Sequence, residues 1–381
     1  MPPKAWVLVA LIAVGPVPSH AGQINKPFPK KVPEPRALLL ADATSGRVLR
    51  ERGADEPIAL GSLGQLMIAL LVLERVDAHQ LTLEQPLPPS AAAASIAGAR
   101  LLGEADDQTP LEDWLRASIV AGAPDATVTV ASALAATPAD VIALMNDRAR
   151  SLGMIGTEYG SLLGTARSAK QPIDVTTARD TARLVTELVR HRPVLEWAAL
   201  GGFPFRDGAA LLRNPNQLLG TVPGVNGLLV TGDSHVGFHV VATARRGALQ
   251  LLAITLGAAD NATRYSNTAE WLEWGFATFE RIEIVRAGEP LLMPVRLRAG
   301  VEGQLIPVAA AGCSLLRRHD EEHHFEIGFQ VPDALTAPIA RDQRIGEIIV
   351  REDGQVLAVV PAVSPADFAA ADGVVSAATN P

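Results

Sequence analysis

The chain has 381 residues, 48% of them hydrophobic and 19% charged, and a formal net charge of -8. That length allows two domains, the apolar fraction excludes a disordered chain, and an acidic balance without a dense basic run argues against nucleic acid as a partner. Basic side chains are almost all arginine: lysine stands only at Lys4, Lys26, Lys30, Lys31 and Lys170, so lysine chemistry has few candidates.

The N-terminus reads as a secretory signal over 1–21. Lys4 supplies the positive end, 5–14 (AWVLVALIAV) the apolar core, and Ser19-His20-Ala21 a small-x-small cleavage site. The apolar run is too short to span a bilayer. The protein is therefore expected to be exported, periplasmic or secreted after cleavage near Ala21. The lone Cys313 cannot form an internal disulfide. Residues 22–36, rich in proline and lysine, read as an extended leader.

A β-hairpin is predicted over 37–52, with its turn at Thr44-Ser45-Gly46. In 57–76 (PIALGSLGQLMIALLVLERV) a loop with Gly61 and Ser62 runs into Leu66, Ala69, Leu70 and Leu73 at helical spacing. Ser62 thus stands in the first turn of a buried helix, where unpaired N–H groups and the helix dipole favour negative charge. Such a serine is an N-cap or, with a base in reach, an acyl-transfer nucleophile. One turn later stands Gln65, which is no base, so the pattern by itself reads as an ordinary N-cap.

Further helices are predicted at 111–121, 138–152 and 175–190, while 88–104 is alanine-rich and weakly specified. From about 223 the pattern turns to strands, at 225–231, 237–244 and 249–256, closed by a helix over 262–279. That order predicts an α+β domain, an antiparallel sheet covered by helices. Beyond 280 only short strands recur, the clearest being a hairpin at Asp353-Gly354, so 280–363 reads as a small all-β domain. The tail, 364–381, is small and polar, expected to be flexible and without a membrane-anchoring helix. The 319–324 stretch (HDEEHH) near Cys313 matches no closed zinc spacing and reads as a solvated loop, so no metal is expected. No Gly-rich phosphate loop and no G-x-S-x-G elbow occurs, and no cofactor is expected.

Residues spread along the chain resemble one family. They are the opening hairpin ADATSGRVLRERGAD, the helix from Ala139-Asp140 through Met145-Asn146 with Leu152-Gly153-Met154 and Thr157, and TTARDTARL at 176–184. Asn214-Pro215-Asn216-Gln217-Leu218, Val225-Asn226-Gly227 and Trp274-Gly275-Phe276 complete the set. The chain resembles the exported serine-type D-alanyl-D-alanine carboxypeptidases, the low-molecular-mass penicillin-binding proteins. The resemblance implies a β-lactamase/transpeptidase-like domain over 37–279 followed by the β domain.

It also implies a site, from which the chain departs. Ser62 falls on the family nucleophile, and Gln65 on the lysine that serves as its base. The family's serine-x-asparagine motif aligns with Gly122-Ala123-Pro124, and its lysine-threonine-glycine motif with Val230-Thr231-Gly232. Arg264 falls on an arginine that helps hold the substrate's terminal carboxylate. The implied ligand is a peptidoglycan stem peptide ending in D-Ala-D-Ala. With three relay groups replaced, hydrolysis and acylation by β-lactams are expected to be weak or absent. Lys170 and His235 are the conceivable substitute bases, against the simpler readings of a loop lysine and a strand-end histidine. Two rivals remain: an active serine carboxypeptidase with a rewired base, and a partner-binding scaffold that uses the β domain.

Overall fold

The computed structural model describes residues 5–14, 34–94, 96, 101, 108–164, 174–206 and 208–371. The chain divides into two compact units, one of residues 23–276 and one of 277–381 together with 1–22. All five lysines, including Lys170, lie outside the described residues, as does the cleavage site expected near Ala21.

In the first unit, β1 (Ala37–Asp42) and β2 (Val48–Arg52) form the predicted hairpin. The helices α1 (Gly64–Asp77), α2 (Leu111–Ala121), α3 (Pro124–Ser132), α4 (Pro138–Ser151), α5 (Ala178–Leu188) and α6 (Arg192–Ala198) follow. The chain then returns to the sheet as β3 (Val225–Asp233), β4 (Gly237–Arg246) and β5 (Leu249–Ala258), and α7 (Asn261–Thr278) comes last. The antiparallel sheet runs β2-β1-β5-β4-β3, which leaves β3 at an edge.

Every residue of β1 is buried, so both sheet faces are covered. Leu39 and Ala41 join the main core, and β1 packs against α5. On the other face Gly275 of α7 comes so close that a Cβ would lie 2.7 Å from Leu251 and 2.8 Å from Leu40. Helix α1 is buried continuously from Gly64 to Leu70 and packs against α2, α3, α4 and α5, so it is the centre of the helical layer. Helix α3 was not legible beforehand. Its core (ATVTVA) has the composition of a strand, yet Pro124 starts the helix and Asp125 to Ala131 are buried.

The second unit holds the strands β6 (Phe279–Val285), β7 (Cys313–Arg318), β8 (His323–Val331), β9 (Arg344–Glu352) and β10 (Gln355–Val363). Strands β8, β9 and β10 form a meander around Val295, Leu305, Val350 and Ala362, with β9 and β10 joined at Asp353-Gly354. Residues 5–14, the apolar core of the expected signal, run as a strand antiparallel to β8. In the HDEEHH stretch, His323 pairs with Glu352 and His319 lies 3.7 Å from Glu280. Of the tail, residues 364–371 are described: Ser364 is buried, the Phe368 and Ile339 backbones pair, and the Ala371 N–H donates to the Ala299 carbonyl at 2.8 Å. The remainder, 372–381, lies outside the described residues.

One histidine links sheet and site. His239, on β4, has no solvent exposure; its Nε2 is 3.0 Å from the Ala59 carbonyl, and its Nδ1 accepts from the Gly257 N–H at 3.0 Å. The ring therefore donates at Nε2 and is neutral. Burial pushes its pKa down to about 4, partly offset by the Ala59 hydrogen bond. Since the unfolded chain takes up the proton first, stability is complete above about pH 6.5 and falls as pH drops towards about 4, by roughly 3 kcal/mol. Urea denaturation across that window should show this loss, and His239→Gln should flatten it.

Candidate active site

The site begins with a turn, not a cap. Gly61, at φ +53, opens a 3-10 turn over Gly61–Leu63, and Ser62 within it has non-helical φ/ψ of -75 and 16. The N-cap of α1 is Leu63, without a side-chain cap hydrogen bond, so the N-cap reading of Ser62 is corrected. The turn delays the helix by two residues and turns the Ser62 N–H outward, to donate to Thr231 Oγ1 at 3.3 Å. No hydrogen-bond partner for the Ser62 hydroxyl is found among the described residues.

Two walls hold this turn. Beneath it, a Cβ on Gly61 would lie 3.4 Å from the His239 ring. Beside it, a Cβ on Gly164 would come within 1.7 Å of the Gly61 carbonyl, so only glycine fits there. Asp174 pins that second wall, accepting from the N–H groups of Gly160 and Ser161 at 2.8 and 3.1 Å and from Ser161 Oγ at 2.6 Å. The Leu60 N–H donates in turn to the Asp174 carbonyl at 2.7 Å.

One helical turn after Ser62, Gln65 is 2% exposed. Its Oε1 lies 3.2 Å from Thr127 Oγ1, which is also 2.8 Å from Ser118 Oγ and 3.0 Å from the Ala123 carbonyl. Gln65 Nε2 has no partner among the described residues. Thr127 carries one proton and cannot donate to both Gln65 and the Ala123 carbonyl, whereas the Ser118 hydroxyl can itself donate to Thr127. If it donates to Ala123, the amide turns to give its N–H to Thr127 and leaves its oxygen free. In both orientations the group at 65 is neutral.

The motif-two positions form the corner between α2 and α3. Gly122, at φ +65, ends α2 in the left-handed conformation, and Pro124 is the first residue of α3. Neither side chain offers a hydrogen bond, so this corner presents backbone alone. Thr127, one turn further on, carries the only hydroxyl that links this corner to Gln65 among the described residues.

On β3, Val230 is buried at 8% exposure where the resemblance implies a lysine. Gly232 is required by backbone approach, since a Cβ there would meet the Gly237 carbonyl at 2.0 Å. Arg264, on α7, donates from Nη1 to the carbonyls of Thr231 at 2.8 Å and His239 at 3.1 Å, which face each other across β3 and β4. The Tyr265 and Phe238 rings lie 4.8 and 5.4 Å from its guanidinium. Its Nη1 is committed to holding the two strands together, and Nε is left without a partner among the described residues.

The two candidate repairs fare differently. Lys170 lies outside the described residues. His235 is exposed in the turn after β3, where its N–H donates to Asp233 Oδ1 at 2.7 Å, and nothing links its ring to Ser62 among the described residues. The histidine that reaches the Ser62 turn is His239, which no sequence signal marked, and both its nitrogens are occupied. Thr127 had a signal: it follows Asp125 and Ala126, which stay in register with the family motif. Chemically, the site offers a serine at the head of a buried helix and a strand edge, with no described side chain placed to take the serine proton.

Comparison with known proteins identifies the family and the fold. The family description D-alanyl-D-alanine carboxypeptidase matches residues 29–260, and that of the penicillin-binding protein 5 C-terminal domain matches 279–369. The chain is 22% identical over 367 residues to D-alanyl-D-alanine carboxypeptidase DacF of Bacillus subtilis, covering 95% of this chain and 93% of that one. To DacC of Escherichia coli it is 26% identical over 328 residues, 84% and 80% of the two chains. Penicillin-binding protein 5 from Haemophilus influenzae shares the fold at a TM-score of 0.64 and 21% identity, over 90% and 99% of the chains. Penicillin-binding protein D2 from Listeria monocytogenes, in its ampicillin-bound form, gives 0.57 at 28% identity, over 64% and 97%. The family match spans more than half of the chain, which belongs to the D-alanyl-D-alanine carboxypeptidase family, with the penicillin-binding-protein fold and its C-terminal β domain.

Proposed function

We propose that this protein is an exported, catalytically impaired member of its family, which binds peptidoglycan stem peptides ending in D-Ala-D-Ala and hydrolyses them poorly or not at all. The observation that carries this reading is the neutral Gln65, buried and engaged with Thr127 where a base is needed. Gly122, Pro124 and Val230 add to it, because none can relay a proton. Losing one positioned base typically costs about 10²–10⁴-fold, and groups that act as a unit do not fail independently. Acylation by a β-lactam needs the same proton transfer from Ser62 and is weak for the same reason.

Binding is a separate matter. Strand β3 lies at the sheet edge and can pair with an extended peptide through its backbone. Thr231 and Gly232 keep that edge beside the Ser62 turn. Export rests on the N-terminal signal pattern, and no described helix is long and apolar enough to cross a membrane.

A labelled penicillin tests the impairment. Purified mature protein should take up no stable label above the level of Ser62→Ala; strong labelling that vanishes in that variant contradicts the reading. A D-Ala-D-Ala stem peptide should bind in calorimetry without turnover, and absence of binding contradicts the peptide-binding half. Restoration tests the cause. Gln65→Lys alone should leave D-Ala release near background, whereas Gln65→Lys with Gly122→Ser, Pro124→Asn and Val230→Lys should raise it by about 10²-fold or more.

A further inference from the structure

We propose a second binding site, for a small multiply charged anion, in the cavity between α5 and the β1–β2 turn. The cavity has a volume of 360 Å³, at the lower end of the range of small-molecule sites. Its walls include Ser45, Gly46, Arg179, Arg183, Thr186 and Arg190. Arg179, Arg183, Thr186 and Arg190 recur at spacings of four, three and four, which puts them on one side of α5 and its C-terminal extension.

The hydrogen-bond inventory points to a ligand. Thr186 is 8% exposed, and its Oγ1 has no partner among the described residues. Gly46 sits over it, since a Cβ there would lie 3.5 Å from that oxygen. Arg183 uses only Nη1, which donates to the Gly153 carbonyl at 2.8 Å and to Asp180 at 2.7 Å; its Nε and Nη2 have no partner among the described residues. Arg190 pairs through Nη1 with Glu187, also on the wall, and Arg179 is shared between Asp55 and Glu51. Arg190 is 63% exposed, and an exposed pair such as Arg190–Glu187 contributes little, so a ligand oxyanion can take the carboxylate's place there. Arg179 is held more firmly, bidentately by Asp55, and serves the site chiefly through its positive charge.

The class of ligand follows from the donors. Planar guanidinium forks pair bidentately with carboxylate or phosphate, and a single buried hydroxyl adds one more donor. Two or more anionic groups are needed to compete with Glu187, Asp55 and Glu51 for the arginines. The site is distinct from Ser62 and independent of whether that residue reacts.

Citrate and pyrophosphate serve as probes, titrated calorimetrically into the full chain at low ionic strength, where surface charge is least screened. At least one should bind saturably at one site per chain. Citrate alone would assign carboxylates, pyrophosphate alone phosphate, and both the shared oxyanion chemistry. Arg183→Gln should weaken binding about tenfold or more. Arg190→Gln, at an exposed position that leaves folding intact, should weaken it several-fold, and Ser62→Ala should not change it. Failure of both anions to saturate, or undiminished binding in the Arg183→Gln and Arg190→Gln variants, overturns the proposal.

Discussion

A serine hydroxyl reacts only if something nearby can hold its proton, and one turn beyond Ser62 stands a buried, neutral glutamine. Helix α1 is buried from its first turn, so whatever stands at position 65 is surrounded by protein. An ammonium there is costly unless charge and hydrogen bonds are arranged around it. Gln65 is neutral there, and its amide meets Thr127, which in turn meets Ser118. Val230 is likewise uncharged on β3, where an apolar side chain fills a buried position. Positions 65 and 230, far apart in the chain, thus share one property: each holds an uncharged side chain in a buried place.

The scaffold around Ser62 is held by specific contacts. Asp174 ties the Gly160–Gly164 wall to the Ser62 turn, Gly232 permits the close approach of β3 and β4, and the Ser62 turn leads into the central helix. Arg264 illustrates how far a side chain can be bound into that scaffold. Its Nη1 spans two facing carbonyls and its guanidinium lies close to two aromatic rings, so it contributes to keeping β3 in register beside Ser62. A carboxylate in the cleft meets an arginine whose main donor is already engaged.

Much of this was legible in the chain, for reasons that differ from element to element. The β1–β2 hairpin, α1 and the β3 to β5 strands announce themselves through apolar periodicity and turn residues. Helix α3 does not, because β-branched residues at 127–130 suggest a strand and only burial against α1 makes them helical. The serine at 62 was recognisable, but its N-cap reading failed because a positive φ at Gly61 inserts a 3-10 turn that spacing alone cannot reveal. Long-range contacts were hidden altogether. Nothing in the sequence says that His239 rather than His235 lies under the Ser62 turn, or that Thr127 meets Gln65 across 62 positions.

The central claim is that Ser62 has no proton acceptor. Release of D-Ala from a stem peptide ending in D-Ala-D-Ala, followed from about pH 6 to about pH 10, tests it most directly. The account predicts a rate indistinguishable from that of Ser62→Ala at every pH. A rate that rises through a defined pKa and disappears in Ser62→Ala would reveal a working base and contradict it.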